Sequence, residues 1–182
     1  MAAGTAAENG ADVILLERND KIARKVMITG KGRCNVTNDC TLDEFMKNTP
    51  VGGKFMYASF NGFTPQDVMD FFTKGGTPLK VERGNRVFPV SDKAVDIVDA
   101  LENAARSNGA KIVSDTVVSV NKTETDSFVI KTQSTAECFF DKVISVFTAF
   151  YVIYQYGAQI VECTSFLTYL PYQICKEKST KF

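Results

Sequence analysis

A continuous apolar run that ends in an acid, DVILLE (Asp12 to Glu17), constrains the fold of this chain more than any other feature. Runs of this kind are typical of parallel strands that are buried on both faces of a sheet. The small residues from Ala2 to Ala7 predict a closely packed helix, which Asn9-Gly10 would end. Helix, glycine turn and buried strand form the second half of a βαβ unit, so the sequence predicts an α/β fold.

Further along the chain, turn and cap signals predict a helix and a hairpin. Thr64-Pro65 predicts a helix with Thr as N-cap and Pro at the first position, and Gly75-Gly76 would end it. The stretch LKVERGNRVFPV, residues 79–90, predicts two short strands joined by a turn at Gly84-Asn85. Ser91 is expected to cap the helix that follows.

The segments TVVSVNKT, SFVIKT and ECFFDKVIS predict an antiparallel β-meander. After residue 145 the composition changes: aromatic residues are frequent, and Asp and Arg are absent. The sequence therefore predicts a partial domain over residues 1–145 and a divergent, aromatic-rich tail of doubtful fold over residues 146–182.

Charge and residue usage narrow the function classes. Lys+Arg and Asp+Glu are equal at 21 each, which favours no nucleic-acid partner. Five cysteines without a CxxC pair favour a reducing, cytoplasmic location and argue against a zinc site. The chain has no His, the commonest general base and metal ligand, so an enzyme of this composition would depend on a cofactor and no metal is predicted.

Glu17 has the place of a ribose ligand. In a dinucleotide-binding βαβ unit, an acid at the end of the second strand accepts hydrogen bonds from ribose hydroxyls, about 20 residues beyond a glycine-rich phosphate loop. No GxGxxG precedes Glu17, and counting back that distance reaches Met1. The alternative is that Glu17 merely ends a strand and faces solvent.

The loop ITGKGRCNVTN, from Ile28 to Asn38, combines glycines, cations and amides. Together with Leu15-Leu16-Glu17, Lys25 and GNRVFPVSDKA (Gly84 to Ala94), it resembles the BaiN-like flavoproteins, also called the aminoacetone oxidase family of NAD(P)/FAD-dependent oxidoreductases. The resemblance extends over about residues 1–144.

The resemblance implies a partial FAD/NAD(P)-binding Rossmann-like domain of the α/β class, with an antiparallel β-meander and with the first strand and the GxGxxG missing. It implies FAD as cofactor, NAD(P)H as an electron donor and an unidentified small organic substrate; no side chain is assigned a catalytic role. The residues it implies for cofactor binding are Glu17, Arg18, Lys25, Gly32, Arg33, Cys34, Asn35 and Val117.

These residues have different expected roles. Glu17 would accept hydrogen bonds from the ribose of the AMP half, and backbone groups of Val117 would contact adenine. The loop would approach the flavin side, where Arg33 would offset pyrophosphate charge together with Lys31, and the Asn35 amide would meet a heterocycle edge. Cys34 is either a reactive thiol or a small packed residue.

Two rival functions stay open. Without the first strand of the unit, inner strand edges would be left unpaired, so we expect FAD to bind weakly or not at all. The alternative is a non-enzymatic, truncated α/β fragment that acts at most as an interaction module through its exposed strand edge and aromatic tail. The uncharged run over residues 143–161 is long enough to suggest a membrane anchor. Its Gln, Tyr and Gly residues disfavour one, so no membrane partner is predicted.

Overall fold

The computed structural model describes residues 1–49, 51–134, 137–146 and 150–155. The helices in the described residues are α1 (Ala2–Glu8), α2 (Arg24–Ile28), α3 (Leu42–Lys47), α4 (Gly53–Gly62), α5 (Pro65–Lys74) and α6 (Ala94–Ser107). The strands are β1 (Asp12–Glu17), β2 (Thr37–Asn38), β3 (Leu79–Glu82), β4 (Arg86–Pro89), β5 (Lys111–Ser114), β6 (Val117–Lys122), β7 (Phe128–Thr132), β8 (Cys138–Phe140), β9 (Lys142–Val146) and β10 (Phe150–Gln155).

The described residues form two compact units. The first contains residues 1–22 and the described part of 103–155, and the second contains the described part of residues 23–102. None of the helices in the described ranges is both long enough and apolar enough to cross a membrane. The described part of the uncharged run, within residues 143–155, forms the strands β9 and β10.

A four-stranded sheet with the order β5-β1-β10-β9 organises the first unit. Strand β1 is parallel to β5, which confirms the parallel strand predicted from DVILLE. The expectation that an inner edge of this sheet is left unpaired is wrong. Strand β10 pairs antiparallel with the whole of β1, and also with β9. A hairpin needs only a short connection, so β9 and β10 can fill this edge in the antiparallel sense.

Both faces of β1 are covered, as the apolar run predicts. On one face Val13 packs with Ala3, Ala7, Ala105 and Ile144. On the other face, Leu16 packs with Ile130, Phe140 and Val143. Small side chains bring α1 against the end of α6: a Cβ added at Gly4 would lie 3.3 Å from the Cα of Ala105.

The antiparallel meander is confirmed for β6, β7 and β8, which form a separate three-stranded sheet. The third predicted segment, ECFFDKVIS, is not one strand. The chain bends at Asp141, so that β8 completes the meander while β9 joins the four-stranded sheet.

The second unit contains the sheet β2-β4-β3 and the helices α3, α4 and α5. Thr64 caps α5 as predicted, because its hydroxyl accepts from the amide of Asp67 while the Asp67 carboxylate accepts from the amide of Thr64. Gly84 and Asn85 both have positive φ, 77° and 58°, as the turn between β3 and β4 requires. The predicted cap at Ser91 is wrong, since α6 begins only at Ala94.

Candidate functional site

Glu17 lies at the carboxyl end of β1 and is 1% exposed. Its Oε1 accepts hydrogen bonds from the amide of Asn19 at 2.9 Å and from Asn19 Nδ2 at 2.6 Å. Its Oε2 is buried and has no hydrogen-bond partner among the described residues. The alternative in which Glu17 faces solvent is therefore wrong. A buried carboxylate oxygen without a donor is costly, so a hydrogen-bond donor beyond the described residues would stabilise it.

Asp115 holds the backbone beside Glu17. Its amide donates to the Glu17 carbonyl at 2.9 Å. Its carboxylate accepts from the amide of Thr116 at 2.7 Å and from Ser134 Oγ at 2.5 Å. Hydrogen bonds from the Ser134 and Thr132 hydroxyls lower the pKa of Asp115 to about 2. This network fixes the connection between β5 and β6 at the end of the sheet where Glu17 lies.

We expect acid to weaken the first unit through Asp115. Its folded pKa of about 2 lies below the unfolded value of about 3.9, so its stabilising contribution is complete above the unfolded value and is lost as the pH falls through about 2. Thermal unfolding followed by circular dichroism from neutral pH to pH 2 measures this loss. Asp115→Asn should unfold at a lower temperature than the unchanged chain at pH 7, and the difference should shrink in acid. A difference that stays constant with pH would contradict this role.

The other two predicted residues of the first unit lie on either side of this network. Val117 begins β6, two residues after Asp115, and its half-buried side chain packs against the cluster around Leu16. Arg18 directly follows Glu17 and is exposed. The structure thus brings Glu17 and the start of β6 to one end of the sheet, as their expected contacts with the AMP half require.

In the second unit, the glycine-rich loop has an unusual backbone. Gly30, Lys31 and Gly32 have positive φ values of 56°, 58° and 84°, and Cys34 follows with 60°. The amides of Arg33 and Cys34 close the turn by donating to the carbonyls of Gly30 and Thr29. Lys31 and Lys25 are exposed. The loop is a tight turn in the left-handed region of backbone conformation, which glycine adopts without steric cost.

Arg33 is engaged by the hairpin rather than extended into solvent. Its Nη2 lies 2.5 Å from Glu82 Oε1 and from Asp92 Oδ1, and its guanidinium carbon is 4.2 Å from the centroid of the Phe88 ring. Hydrogen bonds to Glu82 and then to Asp92 raise the pKa of Arg33. Lys80 also pairs with Asp92, at 2.7 Å. Two carboxylates therefore already balance the charge that was expected to offset a pyrophosphate.

This arrangement explains why the loop and the stretch from Gly84 to Ala94 occur together. The later stretch supplies both the Phe88 ring and Asp92 to Arg33. Its Gly84 carbonyl also accepts a hydrogen bond from Asn38 Nδ2, at the end of the loop, at 2.9 Å. In the sequence the two stretches are separate motifs, and neither motif predicts Glu82, Phe88 and Asp92 as partners of Arg33.

We expect Arg33→Lys to lower the thermal unfolding midpoint by a few degrees. Lysine keeps the positive charge but loses the planar fork that reaches two carboxylates and stacks on Phe88. Differential scanning calorimetry measures the shift. Arg83→Lys is the matched control, because Arg83 is an exposed arginine in the same hairpin. Equal midpoints for both variants would contradict the role given to Arg33.

Cys34 is fully buried, and this burial raises the pKa of its thiol above its ordinary value, despite a hydrogen bond with Thr29. A thiol with a raised pKa is deprotonated less often, and the thiolate is the reactive form. The geometry therefore favours the packed residue over the reactive thiol among the two alternatives for Cys34.

Asn35 carries the second buried polar atom without a partner. Its Oδ1 has no hydrogen-bond donor among the described residues, as is true of Glu17 Oε2. Asn35 also lines a pocket of about 630 Å³ within the second unit. Helices α3, α4 and α5 contribute to the walls, together with Gly84 and Asn85 of the hairpin turn.

Comparison with known proteins agrees with these features. The chain matches the HI0933-like protein Rossmann domain over residues 1–151. It is 30% identical over 138 residues to the 3-dehydro-bile acid delta(4,6)-reductase of Clostridium scindens. That match covers 71% of this chain and 31% of the reductase, so the chain spans less than a third of this relative's length. The expected BaiN-like family and the Rossmann-like α/β class are confirmed, and the chain belongs to the HI0933-like family of FAD-binding Rossmann-domain proteins.

Proposed function

We propose that this chain supplies part of the FAD site of an oxidoreductase that transfers hydride between NAD(P)H, FAD and a small organic substrate. When bound, FAD supplies the redox chemistry, and the chain's own residues bind and orient it. The family supports an FAD-dependent oxidoreductase; the electron donor and the substrate are part of the proposal. The cysteine content supports a cytoplasmic setting.

The observation that carries the proposal is the unpartnered Oε2 of Glu17. Asn19 donates both of its hydrogen bonds to Oε1, which fixes the carboxylate and leaves the second oxygen for a ligand. A ribose presents two neighbouring hydroxyl donors, which suits a carboxylate acceptor. Glu17 would hold the ribose of the AMP half, and backbone groups of Val117 would receive adenine. The residues at this end of the sheet therefore fit the adenosine end of FAD.

The loop residues complete the proposal. Asn35 offers an acceptor that no described residue satisfies, and we assign it to the flavin half. Gly32 and Cys34 shape the turn that places Asn35, whereas Arg33 acts through its contacts with Glu82 and Asp92. Arg18 and Lys25 are exposed cations that are available to the pyrophosphate.

The relative's name supports an organic substrate. That protein is named as a reductase of a 3-dehydro-bile acid, so a bile-acid-related acceptor is the first substrate class to test. The whole oxidoreductase reaction is proposed for a protein of the relative's full length, since the chain spans less than a third of it.

We expect the chain by itself to bind FAD weakly rather than not at all. Strand β10 fills the edge of β1 that was expected to be unpaired, but the sequence contains no GxGxxG phosphate loop. Equilibrium dialysis against FAD tests the proposal. Saturable binding of one FAD per chain supports it, and a folded chain with no saturable binding at millimolar FAD would overturn it. Tightly bound flavin that survives purification would contradict the expected weakness.

The interaction module is the second candidate. Strand β10 covers the inner edge of β1, which this alternative needed to be exposed, and residues 156–182 of the aromatic tail lie outside the described residues. A soluble oligomer that contains no flavin would favour this candidate, as measured by size-exclusion chromatography with light scattering.

A further inference from the structure

We propose that the pocket beside Asn35, in the second unit, binds an uncharged ring compound that donates a hydrogen bond through an N–H or O–H group. The pocket has a volume of about 630 Å³, within the range of about 300–1,000 Å³ that is usual for small-molecule sites. It lies wholly among described residues of one unit.

The walls are suited to a flat apolar body. Phe45 and Phe60 line the pocket as a stacked pair, with ring centroids 4.0 Å apart and an angle of 17° between the rings. Met56, Phe63 and Val68 add further apolar surface. Aromatic and thioether side chains pack well against ring systems.

Three polar side chains of the pocket already use a donor within the chain. Asn38 and Asn48 each give an amide hydrogen to a main-chain carbonyl, at 2.9 Å and 2.8 Å. The Thr49 hydroxyl donates to the Phe45 carbonyl at 2.8 Å. Asn35 Oδ1 has no donor at all among the described residues. A ligand that brings a donor would satisfy this oxygen, and a ligand without one would leave it buried and unpaired.

The charges of the pocket disfavour an anion. No Lys or Arg is found among the described residues that line it. Its single ionisable carboxylate, on Glu44, already accepts hydrogen bonds from the amide and hydroxyl of Thr41. A phosphate or carboxylate placed here would lose water without gaining a counter-charge. The pyrophosphate of a nucleotide therefore belongs elsewhere.

Two sources share the chemistry of this ligand: the flavin ring of FAD and a separate organic acceptor. Three bicyclic probes test the shared chemistry, namely naphthol, its methyl ether and naphthoate, which present a donor, no donor and an anion on the same ring. Fluorescence titration of the full chain should show naphthol binding about tenfold more tightly than the ether, with naphthoate weakest, because only naphthol satisfies Asn35 Oδ1.

Asn35→Leu should remove the difference between naphthol and its ether, while Asn103→Leu, which changes an exposed asparagine outside the pocket, should keep it. Equal affinities for the three probes in the unchanged chain would overturn the proposal, and this comparison needs no variant to fold. With FAD added, competition with naphthol identifies the flavin ring as the source. Simultaneous binding identifies a separate acceptor and overturns the assignment of Asn35 to the flavin half; both outcomes support the pocket. If FAD fails to bind while the probe preference persists, the proposed function falls and the pocket stands.

Discussion

Replacing Gly30 with alanine is expected to cost about 3 kcal/mol of unfolding free energy, through two effects that add. Gly30 has a φ of 56°, a conformation that costs any other L-residue about 1–2 kcal/mol. A Cβ at this position would also lie 2.9 Å from the amide nitrogen of Asn35 and 3.3 Å from the Phe88 ring. The loop would have to move away from the hairpin, so Asn35 would be displaced as well. Urea denaturation followed by circular dichroism measures the loss.

Gly32→Ala is the matched control for this prediction. Gly32 also has a positive φ, 84°, but a Cβ there would meet no atom within 4 Å. Its cost is therefore limited to backbone strain of about 1–2 kcal/mol. If the two glycine variants are equally stable, the close approach of Gly30 to Asn35 does not exist in the folded chain.

Changing Glu17 to glutamine is expected to weaken FAD binding about ten- to hundredfold without lowering stability. A hydrogen bond to a charged acceptor contributes about 1.5–3 kcal/mol, and the variant loses the charge while keeping the shape. Stability should stay the same or rise, because the change removes a charge from a site where Oε2 has no partner among the described residues. Fluorescence titration with FAD and urea denaturation give the two values.

Asp12→Asn serves as the control for Glu17→Gln. Asp12 is an exposed acid at the opposite end of the same strand, 3.8 Å from Lys111. Removing the charge of Asp12 should leave the FAD affinity unchanged. Equal losses of affinity in the two variants would indicate a general effect of charge on the chain rather than a ribose ligand at Glu17.

Local signals in the sequence predicted the elements that depend on local chemistry. Thr64, Pro65 and Asp67 specify the start of α5 through contacts within one turn. The apolar run of β1 predicted burial on both faces, and the acid at its end proved to be buried. These features need little information from distant parts of the chain.

Features that depend on distant partners were not predictable in the same way. Arg33 meets Glu82 and Asp92, which lie 49 and 59 residues away, so its ion pairs are invisible in the loop alone. The segment containing β8 and β9 has a continuous strand pattern in the sequence. It is divided at Asp141 because β8 pairs in one sheet and β9 in another. Strand β10 pairs with β1 from more than 130 residues away, between Glu17 and Phe150 at one end.

The measurement that tests the ribose assignment most directly compares FAD with an analogue in which 2′,3′-dideoxyadenosine replaces adenosine. Glu17 should make the unchanged chain prefer FAD about tenfold, because the analogue lacks both ribose hydroxyl donors for the carboxylate. Glu17→Gln should reduce that preference. Equal affinities of the unchanged chain for the two compounds would contradict the account, since the buried oxygen of Glu17 would then accept nothing from the ribose.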